Sequence, residues 1–431
     1  MSPPRIVVVG GGAGGIGVAT RLGRHLGRKG KADVVLVDMA EAHVWKPLLH
    51  EAATGSLDTG IEAMSYRGHA RINGYRFQQG TLVDIDRGRR HVELAPILDG
   101  DQELLPARQI GYDYLVIAVG SVADDFGIPG VQQNCRFLDT TSQALDIQRS
   151  LRKHFLRYAR DERLEEKIKV VIIGAGSTGA EMAAEMANAV HQLKGYGFNV
   201  HAGMLSITLV EAKSDILPDV HRPAIRESVA GQLREMGITI RTGQGVVQAE
   251  PGRIILADGS VLEADLALWA AGIKAPDVLA DIGGLETTSS NQVLVRPNAQ
   301  TTQDDRIFAI GDCCACPQPD GSLAPPRGQV ARQMGHMVVR NLIDILEGRE
   351  PRREYVYRDL GSLVNLSRFH TVGNLFSFLG GGIMVEGRLA RFTYHSLYRR
   401  HLLEVYGLIR GSLMMAVRSL SHFLRPSLKL H

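Results

Sequence analysis

The sequence contains one glycine-rich pattern twice, each time directly after a run of β-branched residues. Four β-branched residues in succession indicate a strand that is buried on both faces of a parallel sheet. The glycines are Gly10, Gly12 and Gly15 in the first copy and Gly174, Gly176 and Gly179 in the second. At this spacing they form a tight turn that opens a helix and lets a pyrophosphate approach the backbone. Each copy therefore predicts a dinucleotide site, with a tight turn that binds nothing as the alternative.

An acidic residue closes the strand that follows each glycine-rich turn. Asp38 ends a strand predicted over residues 33–37, and Glu211 ends one predicted over residues 205–210. A carboxylate at this position accepts hydrogen bonds from an adenosine ribose. Glu211 would also repel a 2′-phosphate, so we expect NADH rather than NADPH at the second copy. An insert around residues 194–203 explains why Glu211 follows its glycines at a long distance. The alternative is one nucleotide site with a structural duplicate.

Length and composition limit the class of protein. A chain of 431 residues exceeds a usual single domain and predicts two or three. Hydrophobic residues at 44% and charged residues at 22% indicate neither disorder nor a polytopic membrane protein. The net charge of +3 is too small to indicate a nucleic-acid partner. We expect no signal peptide, no membrane span and, with four cysteines, no disulfide framework.

Local sequence patterns predict the structure of several other segments. Residues 41–69 are predicted to be an irregular insert of functional importance. For His43 and His50 within it, a packing or surface role is favoured over proton delivery. Residues 112–121 predict a buried strand that ends beside Gly120, where ligands bind in open α/β sheets. A further strand predicted within residues 301–312 ends at Gly311 and Asp312. Helices are predicted over residues 15–26, 141–163, 180–193 and 328–346.

The last 44 residues, 388–431, differ in character from the rest of the chain. Their basic residues are Arg388, Arg391, Arg399, Arg400, Arg410, Arg418, Arg425 and Lys429, and Glu404 is the single acid. Apolar residues recur among them at spacings of three and four. Each half is therefore predicted to have an apolar stripe and a cationic face, which is typical of a helix lying on a membrane. The alternative is a helix pair used in dimerisation or domain packing.

The chain resembles the bacterial type II NADH:quinone oxidoreductases, the single-subunit respiratory NADH dehydrogenases that do not pump protons. The resemblance covers essentially all of the chain. It rests on residues 9–15, 45–51 (Trp-Lys-Pro-Leu-Leu-His-Glu), 53–58, 269–276, 309–313 and 425–431. It implies an α/β fold with two Rossmann-like dinucleotide-binding domains and a C-terminal amphipathic membrane-binding segment. The implied division is an FAD domain over residues 1–165 and 298–385, an NADH domain over 166–297, and membrane helices over 386–431.

The resemblance also implies the site residues. Those for FAD are Gly10, Gly12, Ala13, Gly15, Asp38, Lys46, Val83, Gly120, Gly311 and Asp312, the last at the ribityl chain. Those for NADH are Gly174, Gly176, Gly179, Glu181, Glu211 and Gly272. Glu181 is expected to orient the nicotinamide, with a helix N-terminal acid as the alternative.

Two glutamines match the family's quinone motif, although Gly328 stands where that motif has alanine. Gln329 and Gln333 lie at i and i+4, and are expected to bind a quinone carbonyl from one helix face. The alternative is a pair of exposed glutamines without a role. No metal site is expected, because no cysteines and histidines have zinc-like spacing. Cys313, Cys314 and Cys316 are interpreted as structural.

The implied reaction passes hydride from NADH to FAD and two electrons to ubiquinone or menaquinone. The expected location is the cytoplasmic face of the bacterial inner membrane, bound peripherally to anionic lipid through residues 388–431, and we also expect a homodimer. A sulfide:quinone oxidoreductase would need redox cysteines near the flavin and would lack the second nucleotide site. A soluble ferredoxin or rubredoxin reductase would need no amphipathic tail. A membrane-associated sensor of NAD redox state would bind NADH without turnover.

Overall fold

The computed structural model describes residues 2–160, 167–195, 204–220, 222–367, 370–375 and 383–424. The strands are β1 (Arg5–Val9), β2 (Asp33–Asp38), β3 (Ala42–His43), β4 (Met64–Ser65), β5 (Arg76–Gln79), β6 (Leu82–Asp86), β7 (His91–Leu94), β8 (Ile97–Asp99), β9 (Gln102–Leu105), β10 (Arg108–Gly111), β11 (Tyr114–Ile117), β12 (Val122–Ala123), β13 (Arg136–Phe137), β14 (Ile168–Ile173), β15 (Leu205–Val210), β16 (Thr239–Arg241), β17 (Val246–Glu250), β18 (Arg253–Leu256), β19 (Val261–Glu263), β20 (Leu266–Trp269), β21 (Ile273–Lys274), β22 (Val293–Leu294), β23 (Ile307–Ala309), β24 (Cys314–Ala315), β25 (Gly361–Leu366), β26 (His370–Leu375) and β27 (Ile383–Glu386). The helices are α1 (Gly15–His25), α2 (Leu49–Thr54), α3 (Thr59–Glu62), α4 (Tyr66–Asn73), α5 (Val131–Asn134), α6 (Thr141–Arg160), α7 (Ser177–Gly195), α8 (Pro223–Glu235), α9 (Gly328–Leu346), α10 (Gly387–Tyr406) and α11 (Leu408–Leu424).

Two five-stranded parallel sheets form the centre of the molecule. The first has the order β23-β11-β1-β2-β5 and the second the order β13-β20-β14-β15-β16. In each sheet the strand that precedes a glycine-rich turn is central, and Val9 of β1 pairs with both Ile117 and Val37. Val7 and Val8 are fully buried, as expected for a strand covered on both faces. The predicted α/β class with two Rossmann-like units is confirmed.

The predicted helix bounds agree closely with the structure where the amphipathic pattern extends over several turns. The helix predicted over residues 328–346 is α9 itself, and α1 ends one residue earlier than predicted. The helix predicted over residues 180–193 is longer at both ends, as α7, because the last glycine of the second turn is itself helical. Residues 161–163 of the predicted helix 141–163 lie outside the described residues.

The prediction that residues 41–69 are irregular is wrong. They contain α2, α3, the start of α4 and the short β3–β4 pair. Asp58 caps α3 by accepting the Gly60 N–H at 3.0 Å, and Ser65 caps α4 by accepting the Gly68 N–H at 3.4 Å. Helices of four to eight residues show too few turns for periodicity to reveal them, so their caps were the usable signal.

The chain crosses between the two sheets more than once. The strand β13 belongs to the second sheet although it precedes residue 166, and the two-stranded β12–β21 pair joins segments from the two parts of the chain. The antiparallel sheet β25-β26-β27 leads into α10, and Gly407, with φ +82°, separates α10 from α11. Across the described ranges, no helix combines the length and apolarity needed to cross a bilayer.

Candidate functional site

In the first glycine-rich turn, two glycines are crowded by backbone atoms and one faces open space. At Gly10, which has φ +100°, an added Cβ would lie 2.3 Å from the carbonyl oxygen of Ala118. At Gly15 an added Cβ would lie 1.8 Å from the carbonyl oxygen of Gly10. At Gly12 nothing lies within 4 Å. Gly10 and Gly15 therefore let the turn close, whereas Gly12 leaves space over the backbone for a phosphate group.

Asp38 holds this turn from the end of β2. Its Oδ2 accepts the Gly11 N–H at 2.6 Å and its Oδ1 accepts the Ala40 N–H at 2.8 Å, while burial raises the pKa of the carboxyl. The Gly80 N–H donates to the Asp38 carbonyl at 2.9 Å. This bond brings the segment leading to Val83, which is exposed at a bulge in β6, to the same edge of the sheet.

The loops after β11 and β23 meet beside this turn. Gly120 and Gly311 both have positive φ, at +74° and +75°. The Ser121 hydroxyl donates to Asp312 Oδ2 at 2.8 Å. The backbone carbonyl of Ser121 accepts a hydrogen bond from Lys46 Nζ at 2.9 Å. Asp312 Oδ1 is buried and has no hydrogen-bond partner among the described residues. Because an unpartnered buried carboxylate oxygen is costly, it fits a hydroxyl donor such as the ribityl chain of a flavin.

These residues fit FAD as a group. Gly12, with Ala13 half-buried beside it, offers space for a pyrophosphate at the start of α1, and Asp38 lies where a ribose would follow. Asp312 supplies the unpartnered acceptor near Lys46.

The second glycine-rich turn repeats the geometry of the first. At Gly174, also at φ +100°, an added Cβ would lie 2.7 Å from the Ala270 carbonyl oxygen, and at Gly179 it would lie 1.9 Å from the Gly174 carbonyl oxygen. At Gly176 nothing lies within 4 Å. Glu211 Oε2 accepts the Ala175 N–H at 2.8 Å, as Asp38 accepts the Gly11 N–H in the first turn. Both copies therefore leave space for a phosphate group over the middle glycine of the turn.

Gly272 lies next to the second turn and is covered by an aromatic ring. An added Cβ at Gly272 would lie 2.2 Å from Cζ of Phe126, and Gly272 has φ +64°. Phe126 is 60% exposed and itself has φ +52°, which is unusual for an aromatic residue. Phe126 could not be identified from the sequence, because its nearness to Gly272 depends on the β12–β21 pairing.

Glu181 is a buried acid between the second turn and the C-terminal sheet. Its Oε1 accepts the Asn365 N–H from β25 at 2.9 Å, and its Oε2 lies 3.9 Å from His50 Nδ1. Burial raises the pKa of Glu181 to about 8 and lowers the pKa of His50 to about 4. At neutral pH both groups are therefore predominantly uncharged, and at 3.9 Å they form neither an ion pair nor a direct hydrogen bond.

A second buried acid lies one turn further along α7. Glu185 Oε1 accepts the Ser56 hydroxyl at 2.5 Å and the Asn188 amide at 3.4 Å. Glu185 is 4% exposed and was not identified from the sequence. Its signal was the i, i+4 spacing from Glu181 within the otherwise apolar run of residues 179–187.

Gln329 and Gln333 lie on one face of α9, as expected from their spacing. Gln329 Nε2 lies within 3.2 Å of Tyr357 Oη and of Asp359 Oδ1, and its Oε1 accepts the Leu360 N–H at 3.0 Å. Gln333 Nε2 donates to the Arg358 carbonyl at 2.9 Å. Both amides are thus bonded to the segment of residues 355–361, so a quinone carbonyl would have to exchange with these partners.

Comparison with known proteins distinguishes among enzymes that share two glycine-rich turns of this kind. A family model for pyridine nucleotide-disulphide oxidoreductases matches residues 4–335. A type II NADH:quinone oxidoreductase of Haemophilus influenzae is 41% identical over 443 residues, covering 99% of each chain. The chain belongs to the type II NADH:quinone oxidoreductase family. The resemblance predicted from the sequence motifs is confirmed.

Solved structures agree with this family at the level of the fold. NDH2 of Plasmodium falciparum in complex with NADH has a TM-score of 0.83 at 17% identity, covering 99% of this chain and 100% of that chain. A sulfide:quinone oxidoreductase of Aquifex aeolicus has a TM-score of 0.74 at 20% identity, covering 98% of this chain and 96% of that chain. The fold alone therefore does not separate the type II family from sulfide:quinone oxidoreductases.

The cysteines have the properties of buried, unreactive thiols. All four are buried and free, and burial raises the pKa of Cys135, Cys313 and Cys316 to about 11 and that of Cys314 well above its usual range. A thiolate is the reactive form, so these cysteines are poorly suited to redox exchange. In the described part of the chain, no group of three acids, histidines or cysteines is placed to hold a metal ion.

The two C-terminal helices differ from each other in exposure. In α11 a set of large apolar side chains is between 40% and 80% exposed, namely Leu408, Ile409, Leu413, Met414, Val417 and Leu420. In α10, by contrast, His401 and Val405 are buried against the rest of the molecule, so the apolar stripe predicted for this half is partly used in internal packing. Of the basic residues, Arg399, Arg400 and Arg410 are exposed. The side chains of Arg388, Arg391 and Arg418, and all of Arg425 and Lys429, lie outside the described residues.

Proposed function

We propose that this protein oxidises NADH and reduces a membrane quinone, with FAD bound between the two substrates. The main observation behind the proposal is that the two glycine-rich turns have the same geometry. An added Cβ at Gly12 or Gly176 would meet no atom within 4 Å, whereas at the flanking glycines it would collide with backbone atoms. Two nucleotide sites of one design in one chain support transfer between a nicotinamide and a flavin. When bound, FAD supplies the capacity to take two electrons from NADH and to pass them to a quinone.

We propose that FAD is held by Gly10, Gly12, Ala13, Gly15, Asp38, Lys46, Val83, Gly120, Gly311 and Asp312. The unpartnered Oδ1 of Asp312 supports this assignment, because it would accept a ribityl hydroxyl. Lys46 Nζ bonds the Ser121 carbonyl and Asp139 Oδ1, at 2.9 and 3.1 Å, and would thereby fix the loop that carries Gly120.

We propose that NADH is held by Gly174, Gly176, Gly179, Glu181, Glu211 and Gly272. The Glu211 carboxylate accepts backbone N–H groups from Ala175 and Lys213, so its position beside the ribose is fixed. A fixed negative charge there would disfavour the 2′-phosphate of NADPH. Glu181 would orient the nicotinamide by hydrogen bonding, because hydride transfer depends mainly on alignment of the two rings.

We propose that Gln329 and Gln333 bind a carbonyl oxygen of the quinone. Their amides project from one face of α9, whose first turn approaches the Asp312 loop: an added Cβ at Gly311 would lie 2.7 Å from Cβ of Ala331. This proximity would bring the quinone ring near the flavin. Ubiquinone and menaquinone present the same pair of carbonyl oxygens to the glutamines.

We propose that α11 and the residues after it bind an anionic bilayer surface. The exposed apolar residues of α11 and the exposed Arg410 support this, since apolar burial in lipid and attraction to headgroups act together. A quinone is soluble in the membrane, so its site must open towards the bilayer. Because NADH is a cytosolic substrate, the proposed location is the cytoplasmic face of the bacterial inner membrane.

We also propose a homodimer and the domain division at residues 165/166, 297/298 and 385/386. The family resemblance supports both proposals. The strand β13 lies before the first boundary yet pairs with β20 of the second sheet, so the first segment also contributes to the second unit.

The proposed homodimer is tested by light scattering on the purified protein, which measures the mass. A mass of 47.0 kDa would indicate a monomer.

The proposed function is tested by steady-state turnover of purified, FAD-loaded protein. We expect NADH oxidation that depends on a short-chain ubiquinone, and a much lower kcat/KM with NADPH. The Glu211→Gln variant is the matched change, because it removes the charge and keeps the size; it should raise the NADPH to NADH ratio by about tenfold or more. Flavin reduction by NADH without any quinone turnover would contradict the proposal and favour a ferredoxin reductase, whereas NADH binding without flavin reduction would favour a redox sensor.

A further inference from the structure

Glu404 is a buried acid to which the proposed function assigns no role. It is the single acid of residues 388–431 and lies on α10, with its side chain 9% exposed. Its Oε1 accepts Arg21 Nη2 from α1 at 2.8 Å and also accepts His336 Nε2 from α9. Its Oε2 lies 2.5 Å from Arg332 Nε, also from α9. One carboxylate therefore joins three helices.

The helix α9 links this carboxylate to the proposed quinone site. Arg332 and His336 each lie three residues after one of the site glutamines, Gln329 and Gln333. The first turns of α9 also contact the first glycine-rich turn, since an added Cβ at Gly14 would lie 3.0 Å from the Ala331 carbonyl. A displacement of α9 would therefore move the glutamines relative to this turn and to the loop that carries Gly311 and Asp312, which together are called the flavin loops below.

The side chains that face the Glu404 carboxylate are basic, so this carboxylate supplies the counter-charge where α1, α9 and α10 meet. Arg21, Arg332 and His336 face it, and Arg400 on α10 adds a further nearby cation. Hydrogen bonds from His336 and Arg21 and the charge of Arg332 lower the pKa of Glu404 well below its usual range, even though burial opposes this shift. Without the carboxylate, the partly buried Arg21 of α1 and Arg332 of α9 would lie near one another and near the exposed Arg400 of α10 with no counter-charge, which disfavours the packing of α10 on α9.

We propose that Glu404 is a positioning residue for quinone reduction, which holds α9 against α10 so that Gln329 and Gln333 keep their place beside the flavin loops. This inference rests on the function proposed above. It makes the Glu404 carboxylate of α10 part of the electron-acceptor half of the enzyme and leaves flavin reduction by NADH independent of that carboxylate.

The test compares two half-reactions in full-length, FAD-loaded protein in detergent. Glu404→Gln keeps the shape and removes the charge, Glu404→Asp restores the charge, and Glu386→Gln makes the same charge change at an exposed position beside α10. Flavin reduction by NADH is followed by stopped flow, and kcat and KM for a short-chain ubiquinone are measured separately. A displacement of about 1 Å costs up to about 100-fold in rate, so we expect Glu404→Gln to lower kcat/KM for quinone by about tenfold or more.

The other measurements separate positioning from stability. Flavin reduction by NADH should stay within about twofold of wild type in every variant, Glu404→Asp should recover part of the quinone activity, and Glu386→Gln should behave as wild type. Should Glu404→Gln fail to fold, His336→Gln, which keeps both arginine pairs, decides by the same readouts. Equal loss in both half-reactions, or no loss in either, overturns the inference. A wild-type protein that reduces no quinone overturns the proposed function itself.

Discussion

At the residue scale, the glycines of one turn have distinct roles. Gly12 faces open space, whereas an added Cβ at Gly15 would meet the backbone of Gly10 at 1.8 Å. Gly12→Val should therefore change stability by no more than about 0.5 kcal/mol, as at an ordinary surface position. It should nevertheless weaken FAD binding by about tenfold or more, because the side chain occupies the proposed pyrophosphate position.

The matched control for this prediction is Gly15→Val, which should not yield soluble folded protein, because a backbone atom cannot give way as a side chain can. Flavin content per folded chain is measured by absorbance and folding by circular dichroism. Full flavin content in Gly12→Val would show that the pyrophosphate does not bind over this turn.

Glu181 should make stability depend on pH in a direction opposite to that of a salt-bridged acid. Its pKa in the folded protein is about 8, above the usual value of 4.5. Its contribution to stability is therefore fully present below about pH 4.5 and is lost as pH rises through 8. Glu181→Gln keeps an acceptor for the Asn365 N–H and cannot ionise.

Thermal unfolding of the wild type and Glu181→Gln between pH 5 and 9 tests this prediction. The variant should gain stability relative to the wild type as pH rises, by on the order of 1 kcal/mol or more, since one pKa unit corresponds to about 1.4 kcal/mol. Parallel pH profiles for the two proteins would show that Glu181 ionises freely in the folded state.

At the element scale, α11 presents an apolar surface that stays exposed among the described residues. Six exposed side chains entering lipid at about 1.5 kcal/mol or more each would contribute on the order of 10 kcal/mol before ordering costs. Each cation near anionic headgroups adds up to about 1 kcal/mol, and salt screens this term. Apolar burial should therefore dominate, and high salt alone should not release the protein from membranes.

Co-sedimentation with vesicles containing anionic lipid measures this balance. Ile409→Ser/Leu413→Ser/Val417→Ser should reduce binding far more than Arg410→Gln, which leaves the apolar surface intact. The triple variant should still reduce its flavin with NADH at the wild-type rate. Quantitative release of the wild type by salt alone would contradict a surface-embedded α11.

How well the sequence predicted each element depended on the length of its pattern. The two glycine-rich turns and α9 were predictable because a long buried strand or a long amphipathic period surrounds them. The short helices α2 and α3 were not, since one turn has no measurable period. The partners of Glu404 could not be predicted either, because Arg21 lies 383 residues away and is brought to it only by tertiary packing.

At the scale of the whole molecule, the protein divides into a half that takes electrons from NADH and a half that delivers them. In the site assignment proposed above, the second glycine-rich turn and Glu211 belong to the first half, while α9 to α11 belong to the second. The loops that carry Gly120 and Asp312 lie between them at the carboxyl ends of β11 and β23. This arrangement predicts that the two half-reactions can be impaired separately by mutation.

The most direct measurement follows both half-reactions in the Gln329→Ala/Gln333→Ala variant, using detergent-purified protein with NADH and a short-chain ubiquinone. We predict that NADH still reduces the flavin at the wild-type rate, while reoxidation by quinone falls by about 100-fold, the loss expected when a substrate is no longer held in position. Quinone reduction at the wild-type rate in this variant would contradict the placement of the acceptor site on α9.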